Sequence, residues 1–154
     1  MNEPALNLDE QHLAAWRGLL NAHAAAVGAI ERDLEASGHI PLTWYDVLVA
    51  LSEAPKERLR LHELADSVVL SRSGLTRLVD RLEGEGYLTR EQTPGDRRGF
   101  YATITEQGVS ALRAAWPIYS RGIQRYFAEA LSPEEAETLA ALLQKIADHF
   151  REQE

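Results

Sequence analysis

Between Ser71 and Arg81 the chain reads SRSGLTRLVDR, and its spacing predicts a helix with hydroxyls and guanidiniums on one side. Arg72, Thr76 and Asp80 fall four apart, as do Ser73 and Arg77, so they share an outward face. Arginine, serine and threonine there can donate to base edges or phosphate oxygens. The unpaired N–H groups at the start of the helix, near Ser71, also favour a phosphate. Arg81 follows Arg77 by one turn, where it reaches a phosphate or an acid. Further on, Arg97 and Arg98 stand together after Pro94-Gly95, at the tip of a turn. Two arginines on such a tip suit entry into a minor groove. Asp96 beside them ties down the loop or orients an arginine. The competing reading of the helix is a solvated face with i,i+4 ion pairs joining Asp80 to its arginine neighbours. Helix and turn together weigh toward nucleic-acid recognition.

These residues need a scaffold, and the flanking sequence predicts one. Leu75, Leu78, Val79 and Leu82 recur at core-facing spacings behind the polar face. Gly84 and Gly86 close that helix. YLTRE (87–91) and FYATI (100–104) read as strands on either side of the turn. Upstream, Thr43 caps a helix with Asp46 at N3 and Leu42 as staple, and Pro55 ends it. Leu59–Leu61 reads as a very short strand and His62–Leu70 as a short helix. The order is helix, helix, helix, strand, turn, strand. A long helix precedes this block, from Leu8 to about Ala36, with Asn7 and Glu10 as a capping box. Trp16, Leu19, Leu20, Val27, Ile30 and Leu34 recur along it. After the block, Thr105 caps a helix reaching about Ala130, and Ser132-Pro133-Glu134-Glu135 starts another. Leu139, Leu142, Leu143, Ile146, Ala147 and Phe150 form its stripe. These long helices have no partner sheet, which predicts a dimer interface.

The 154 residues suffice for one domain and carry a net charge of -8. Ser71–Arg98 holds six arginines and five acids, so it is +1 and the remainder is -9. A small positive patch on an acidic body repels DNA except where the patch docks. The chain has no cysteine, which excludes a disulfide scaffold, a thiol nucleophile and a cysteine-ligated metal. The start, MNEPALNLDE, lacks the basic and apolar regions of a secretory signal. The apolar runs are too short to span a bilayer. A cytoplasmic protein without a membrane partner is expected.

The run SRSGLTRLVDRLEGEGYLTREQTPGDRRGFYATITEQG resembles the MarR family of winged-helix transcriptional regulators. The resemblance is carried by Leu78-Val79-Asp80-Arg81-Leu82-Glu83, Gly86, Arg90, Asp96 with Arg98, and Thr105 with Gly108. It implies a mainly α fold with a small β-hairpin wing: a winged helix-turn-helix with N- and C-terminal dimerisation helices. The whole of 1–154 would be a single MarR-like domain. Residues 43–104 would form the DNA-binding lobe, and 8–36 and 106–150 the dimerisation helices. Arg98 would be the wing arginine, braced by Asp96, and the Ser71 helix would enter the major groove. The implied partners are a second copy, a palindromic double-stranded DNA and a small aromatic ligand. No cofactor is implied, and the implied function is that of a repressor released by a small aromatic or phenolic anion.

Candidates to hold such a ligand are His12, Trp16, Trp44, Tyr45, Trp116 and Tyr119, with aromatic faces and polar tips. For each, ordinary core packing is the competing reading. The peroxide-sensing branch of the family uses a cysteine, which this chain lacks. A metal-responsive regulator is disfavoured because His12 and His23 are eleven apart on one helix, while His39, His62 and His149 are scattered. An enzyme is disfavoured too. GEGY follows a helix instead of preceding one, and HELAD lacks the second histidine of a zinc protease motif. A winged helix that binds protein without specific DNA binding is the remaining alternative.

Overall fold

The computed structural model describes residues 8–68, 72–96 and 99–153, with the Arg72 side chain outside that description. Asn7, Ser71, Arg97 and Arg98 therefore lie outside the described residues. In chain order the elements are α1 (Glu10–Ala36), α2 (Leu42–Glu53), β1 (Arg58–Arg60), α3 (Leu61–Ser67), α4 (Arg72–Gly84), β2 (Leu88–Gln92), β3 (Phe100–Ile104), α5 (Glu106–Tyr126) and α6 (Pro133–Arg151). Short 3-10 turns occupy Pro55–Glu57 and Ala128–Ala130. The fold is mainly α with a small antiparallel sheet, in the winged-helix order. Among the described residues, no helix is long and apolar enough to cross a membrane.

The chain divides into two compact units, residues 31–119 and residues 1–30 with 120–154. In the first, β3 lies between β1 and β2. Leu88 faces Ile104, Arg90 faces Ala102, and Leu59 also faces Ala102 from the other side. The alternation of a strand turns Leu88, Ala102 and Ile104 inward. They meet Val47, Leu48, Leu51, Leu64, Leu75, Val79 and Leu82, all fully buried. The apolar stripe of α4 is thus spent on this core, which leaves its polar face outward. In the second unit, a Cβ on Gly122 of α5 would sit 2.6 Å from Ile30 Cγ1, so the two helices touch closely there.

Two helix starts differ from the sequence expectation. Thr43 is not the cap of α2; Pro41 holds that place and makes no side-chain cap bond. The Leu42 N–H is instead taken by Glu31 Oε1 of α1 at 2.8 Å. A tertiary acceptor has replaced the local one, so the helix begins earlier. Asp9 Oδ1 accepts the His12 N–H at 2.8 Å, the role that the capping-box reading gave to Asn7. The Ser132 capping box is present as expected, and Thr105 Oγ1 accepts the Gly108 N–H at 3.1 Å.

One joint fixes α4 against the strands and α5. Gly86 adopts φ +81, a left-handed conformation that ends α4. The Tyr87 N–H then returns to the Leu82 carbonyl at 2.9 Å. Thr105 donates its hydroxyl to the Gly86 carbonyl at 2.7 Å. Gly108 passes so close that a Cβ would run into the Tyr87 carbonyl oxygen and Ile104. Arg90 of β2 completes the joint. Its Nη1 lies 2.6 Å from Asp80 Oδ1 and its Nη2 2.8 Å from Glu83 Oε1. Its Nε and backbone N–H donate to the same Glu83 carboxylate. The guanidinium also lies 5.3 Å from the Phe100 ring centroid on β3.

Two predictions follow from this joint. Gly108→Ala should destabilise the protein by about 1–3 kcal/mol, because backbone and core must shift to admit the methyl group. Gly18→Ala, in open space on α1, should stabilise by up to about 1 kcal/mol. Thermal melting of both variants checks this pair. Glu83 has its pKa held below the usual carboxylate range by the Arg90 hydrogen bond, with desolvation opposing it and the Arg90 charge adding to it. A folded-state pKa below the unfolded one gives stability that is complete above the unfolded value and lost as pH falls through the folded one. Glu83→Gln should therefore lose less melting temperature than wild type between about pH 5 and pH 3. Equal losses in the two proteins would contradict the assignment.

Candidate nucleic-acid interface

On α4 the exposed side carries Ser73, Thr76, Arg77, Asp80 and Arg81, while Leu75, Leu78, Val79 and Leu82 are buried. The division is the one expected from the spacing, and it gives four donor side chains on one accessible face. Asp80 departs from expectation. It pairs with Arg90 on β2, not simply within its own helix. Sequence reasoning did not name Arg90 as a functional residue. The signal was available in the strand alternation: Leu88 points inward, so Arg90 does too, and an inward arginine needs a carboxylate.

The described part of the wing turn is closed by bonds among Thr93, Asp96 and Gly99. The Asp96 N–H donates to the Thr93 carbonyl at 3.1 Å, and the Thr93 N–H to the Gly99 carbonyl at 3.0 Å. Gly95 takes φ +82, a conformation glycine adopts without strain. The Asp96 carboxylate lies against Gly99, where a Cβ would stand 2.6 Å from Oδ2. Across the sheet, Arg60 Nε donates to the Tyr101 hydroxyl at 3.0 Å. That bond, and to a lesser degree the charges of Glu63 and Asp96, holds the Arg60 pKa above its ordinary value. Arg58 stacks on the same ring at 4.4 Å from its centroid. This pair of arginines around Tyr101 was not read from the sequence, because Arg60 and Tyr101 are 41 residues apart.

The aromatic candidates separate into groups. Tyr45 of α2 meets Tyr119 of α5 edge-on, with ring centroids 4.9 Å apart, and Trp116 meets Tyr119 at 6.0 Å. Trp44 packs elsewhere, against Tyr87 at 6.0 Å. His12 and Trp16 belong to the other unit. The His12 Nδ1 lies 2.6 Å from Asp9 Oδ2, and Trp16 is exposed. Around the tyrosine pair the field is acidic. Burial raises the Asp46 pKa, and the Glu31 charge adds to it. Burial likewise raises the Tyr119 pKa, with Asp46 adding to the effect. Among the described residues, no three His, Asp or Glu side chains are grouped to hold a metal ion.

Comparison with known proteins places this geometry. A family model described as MarR family matches residues 40–99. The solved structure of AbsC, a MarR family transcriptional regulator from Streptomyces coelicolor, is 33% identical. The match covers 94% of this chain and 97% of that one, with a TM-score of 0.82. Sco3205 from the same organism, a MarR family transcriptional regulator solved in complex with DNA, is 31% identical over 92% of this chain and 89% of its own, with a TM-score of 0.82. The HTH-type transcriptional regulator YkoM of Bacillus subtilis is 29% identical over 148 residues, 94% of each chain. The exposed donor face on α4, the hairpin beside it and these matches together show that the chain belongs to the MarR family of winged-helix proteins: it is a DNA-binding transcriptional regulator and not an enzyme.

Proposed function

We propose that this protein is a homodimeric, cytoplasmic repressor that reads a palindromic double-stranded operator. The observation that carries the reading is the exposed face of α4, with Ser73, Thr76, Arg77 and Arg81 outward over a buried apolar stripe. This helix enters the major groove, with Ser71 and Arg72 at its start. Arg97 and Arg98 enter the adjacent minor groove, and Asp96 braces the turn that carries them. Residues 43–104 act as the DNA-binding lobe. Residues 8–36 and 106–150 supply the dimer helices, within one MarR-like domain spanning the chain. Support for the dimer comes from apolar side chains left exposed on α1 and α6, among them Trp16, Leu20, Leu142, Ile146 and Phe150. Two copies place two recognition helices about 34–36 Å apart, one turn of the duplex.

The repressor is released by a small aromatic or phenolic anion. The Tyr45–Tyr119–Trp116 cluster supports this reading, since it offers ring faces and two phenol donors. His12, Trp16 and Trp44 complete the set of ligand candidates. Asp46 sets a condition on the anion. Burial and the Glu31 charge raise its pKa, so it takes up a proton at a higher pH than an ordinary aspartate, and a protonated carboxyl donates to an anion where a carboxylate repels it. Ligand binding is therefore coupled to proton uptake and tightens as pH falls toward the Asp46 pKa. A calorimetric titration with substituted phenols and hydroxybenzoates at two pH values tests this. Asp46→Asn should remove the pH dependence, and Tyr119→Phe should weaken binding several-fold. An absence of binding at millimolar ligand would sink the ligand reading.

The test of DNA binding is a gel-shift titration against the DNA upstream of the protein's own gene, with scrambled duplex as competitor. A discrete shift that survives competitor is expected. Arg98→Ala should weaken cognate and scrambled duplex alike and lower the salt slope by about 1. Thr76→Ala or Arg77→Ala should cost about 1–3 kcal/mol on the cognate duplex and relax the preference between the two. Wild type and R98A binding equally would remove the wing assignment.

A further inference from the structure

We propose that Arg90 masks charge on the recognition helix: it gathers Asp80 and Glu83 into one ion group, so that α4 approaches the DNA backbone without two uncompensated carboxylates. The proposal rests on the DNA-binding reading of α4 above and assigns a positioning role to a residue that does not itself touch DNA.

Asp80 lies one turn beyond Thr76 and three residues beyond Arg77, on the face that carries the donor side chains. Its side chain is 54% exposed. Glu83 follows three residues later on the same helix. An unpaired carboxylate there faces a polyanion, and at low salt the repulsion reaches about 10 Å or more. A single guanidinium meets both acids, at 2.6 and 2.8 Å. It is held in place from two directions. Its own backbone N–H donates to Glu83 Oε2 at 3.0 Å, and Phe100 lies beside its plane at 5.3 Å. The side chain thus meets both acids at once.

Stability alone does not explain this arrangement: the Glu83–Arg90 bond adds to folding, but the hydrogen bonds that close the Gly86 turn hold the end of α4 without it. Half-exposed ion pairs add little to folding, and α4 is already held by fully buried Leu75, Val79 and Leu82 and by the Gly86 joint. Charge does explain it. With Arg90 in the group, Arg77 and Arg81 dominate the field of α4. Without it, the two acids cancel them at the surface that must meet phosphate.

The test uses fluorescence anisotropy on the full-length protein, with the duplex that wild type selects from a random-sequence library, across a salt series. Arg90→Gln should weaken binding about ten- to a hundredfold at 50 mM salt, and the gap should close to a few-fold near 0.3 M as repulsion is screened. The triple variant D80N/E83Q/R90Q, which lacks the ion group altogether, should bind within about threefold of wild type. Arg90→Lys should bind nearly as wild type, because it keeps the charge. R90Q binding like wild type would overturn the mask. So would a triple variant as weak as R90Q, or a gap that persists at high salt, since either marks a geometric role. Should R90Q fail to fold, the triple variant decides alone. Wild type that selects no duplex would remove the DNA-binding reading and this inference with it, whereas failure among the variants alone leaves that reading standing.

Discussion

The turn at Gly86 is the constraint on which the reading head depends. A helix that enters a groove must stop cleanly, and the strand after it must leave at a set angle. Gly86 achieves both with a left-handed backbone that a side chain would strain. The consequences run outward from that point. Leu82 receives the returning N–H of Tyr87, Thr105 closes on the Gly86 carbonyl, and Gly108 lets α5 approach the Tyr87 backbone. Helix, wing strand and the next long helix thereby share one small knot of backbone. The start of α5 and the end of α4 are thereby joined through hydrogen bonds and close packing.

Charge is organised on the same scale. The protein is acidic as a whole, yet the exposed face of α4 carries arginines, and the acids nearby are held by an arginine from the neighbouring strand. The wing repeats the pattern in smaller form. Asp96 lies against Gly99 and contributes to the field around Arg60, while Arg58 and Arg60 flank Tyr101. Asp80, Glu83 and Glu91 in this unit are thus partners of arginines. A net charge of -8 describes the whole chain and says little about the field at one helix.

The aromatic residues divide between two neighbourhoods in three dimensions. Trp44 and Tyr45 are adjacent, so they leave α2 about 100° apart. One packs on Tyr87 and the other on Tyr119. Trp116 and Tyr119 are three apart on α5 and share a face. Their neighbourhood is set by Asp46 and Glu53, whose charges act on the phenols, and by Glu31, whose charge acts on Asp46. Nothing in the spacing of the aromatics announces that acidic surround.

The sequence by itself determined the elements and their order. The i, i+3, i+4 and i+7 stripe of α4, the glycines after it, the alternating strands and the Ser132 box are local patterns, because helix and strand periods act between near neighbours. The outward face of α4 was legible for the same reason: a residue's side of a helix follows from its position. What only the tertiary structure decided are the contacts between elements distant along the chain. Glu31 displaces Thr43 from the start of α2. Arg90 takes Asp80 away from a simple intrahelical pair, and Tyr101 gathers Arg58 and Arg60. β1 joins the hairpin to make a third strand. Each of these is a choice among several chemically equivalent partners. Periodicity ranks none of them, since the winner is set by which groups the buried core brings within hydrogen-bond distance.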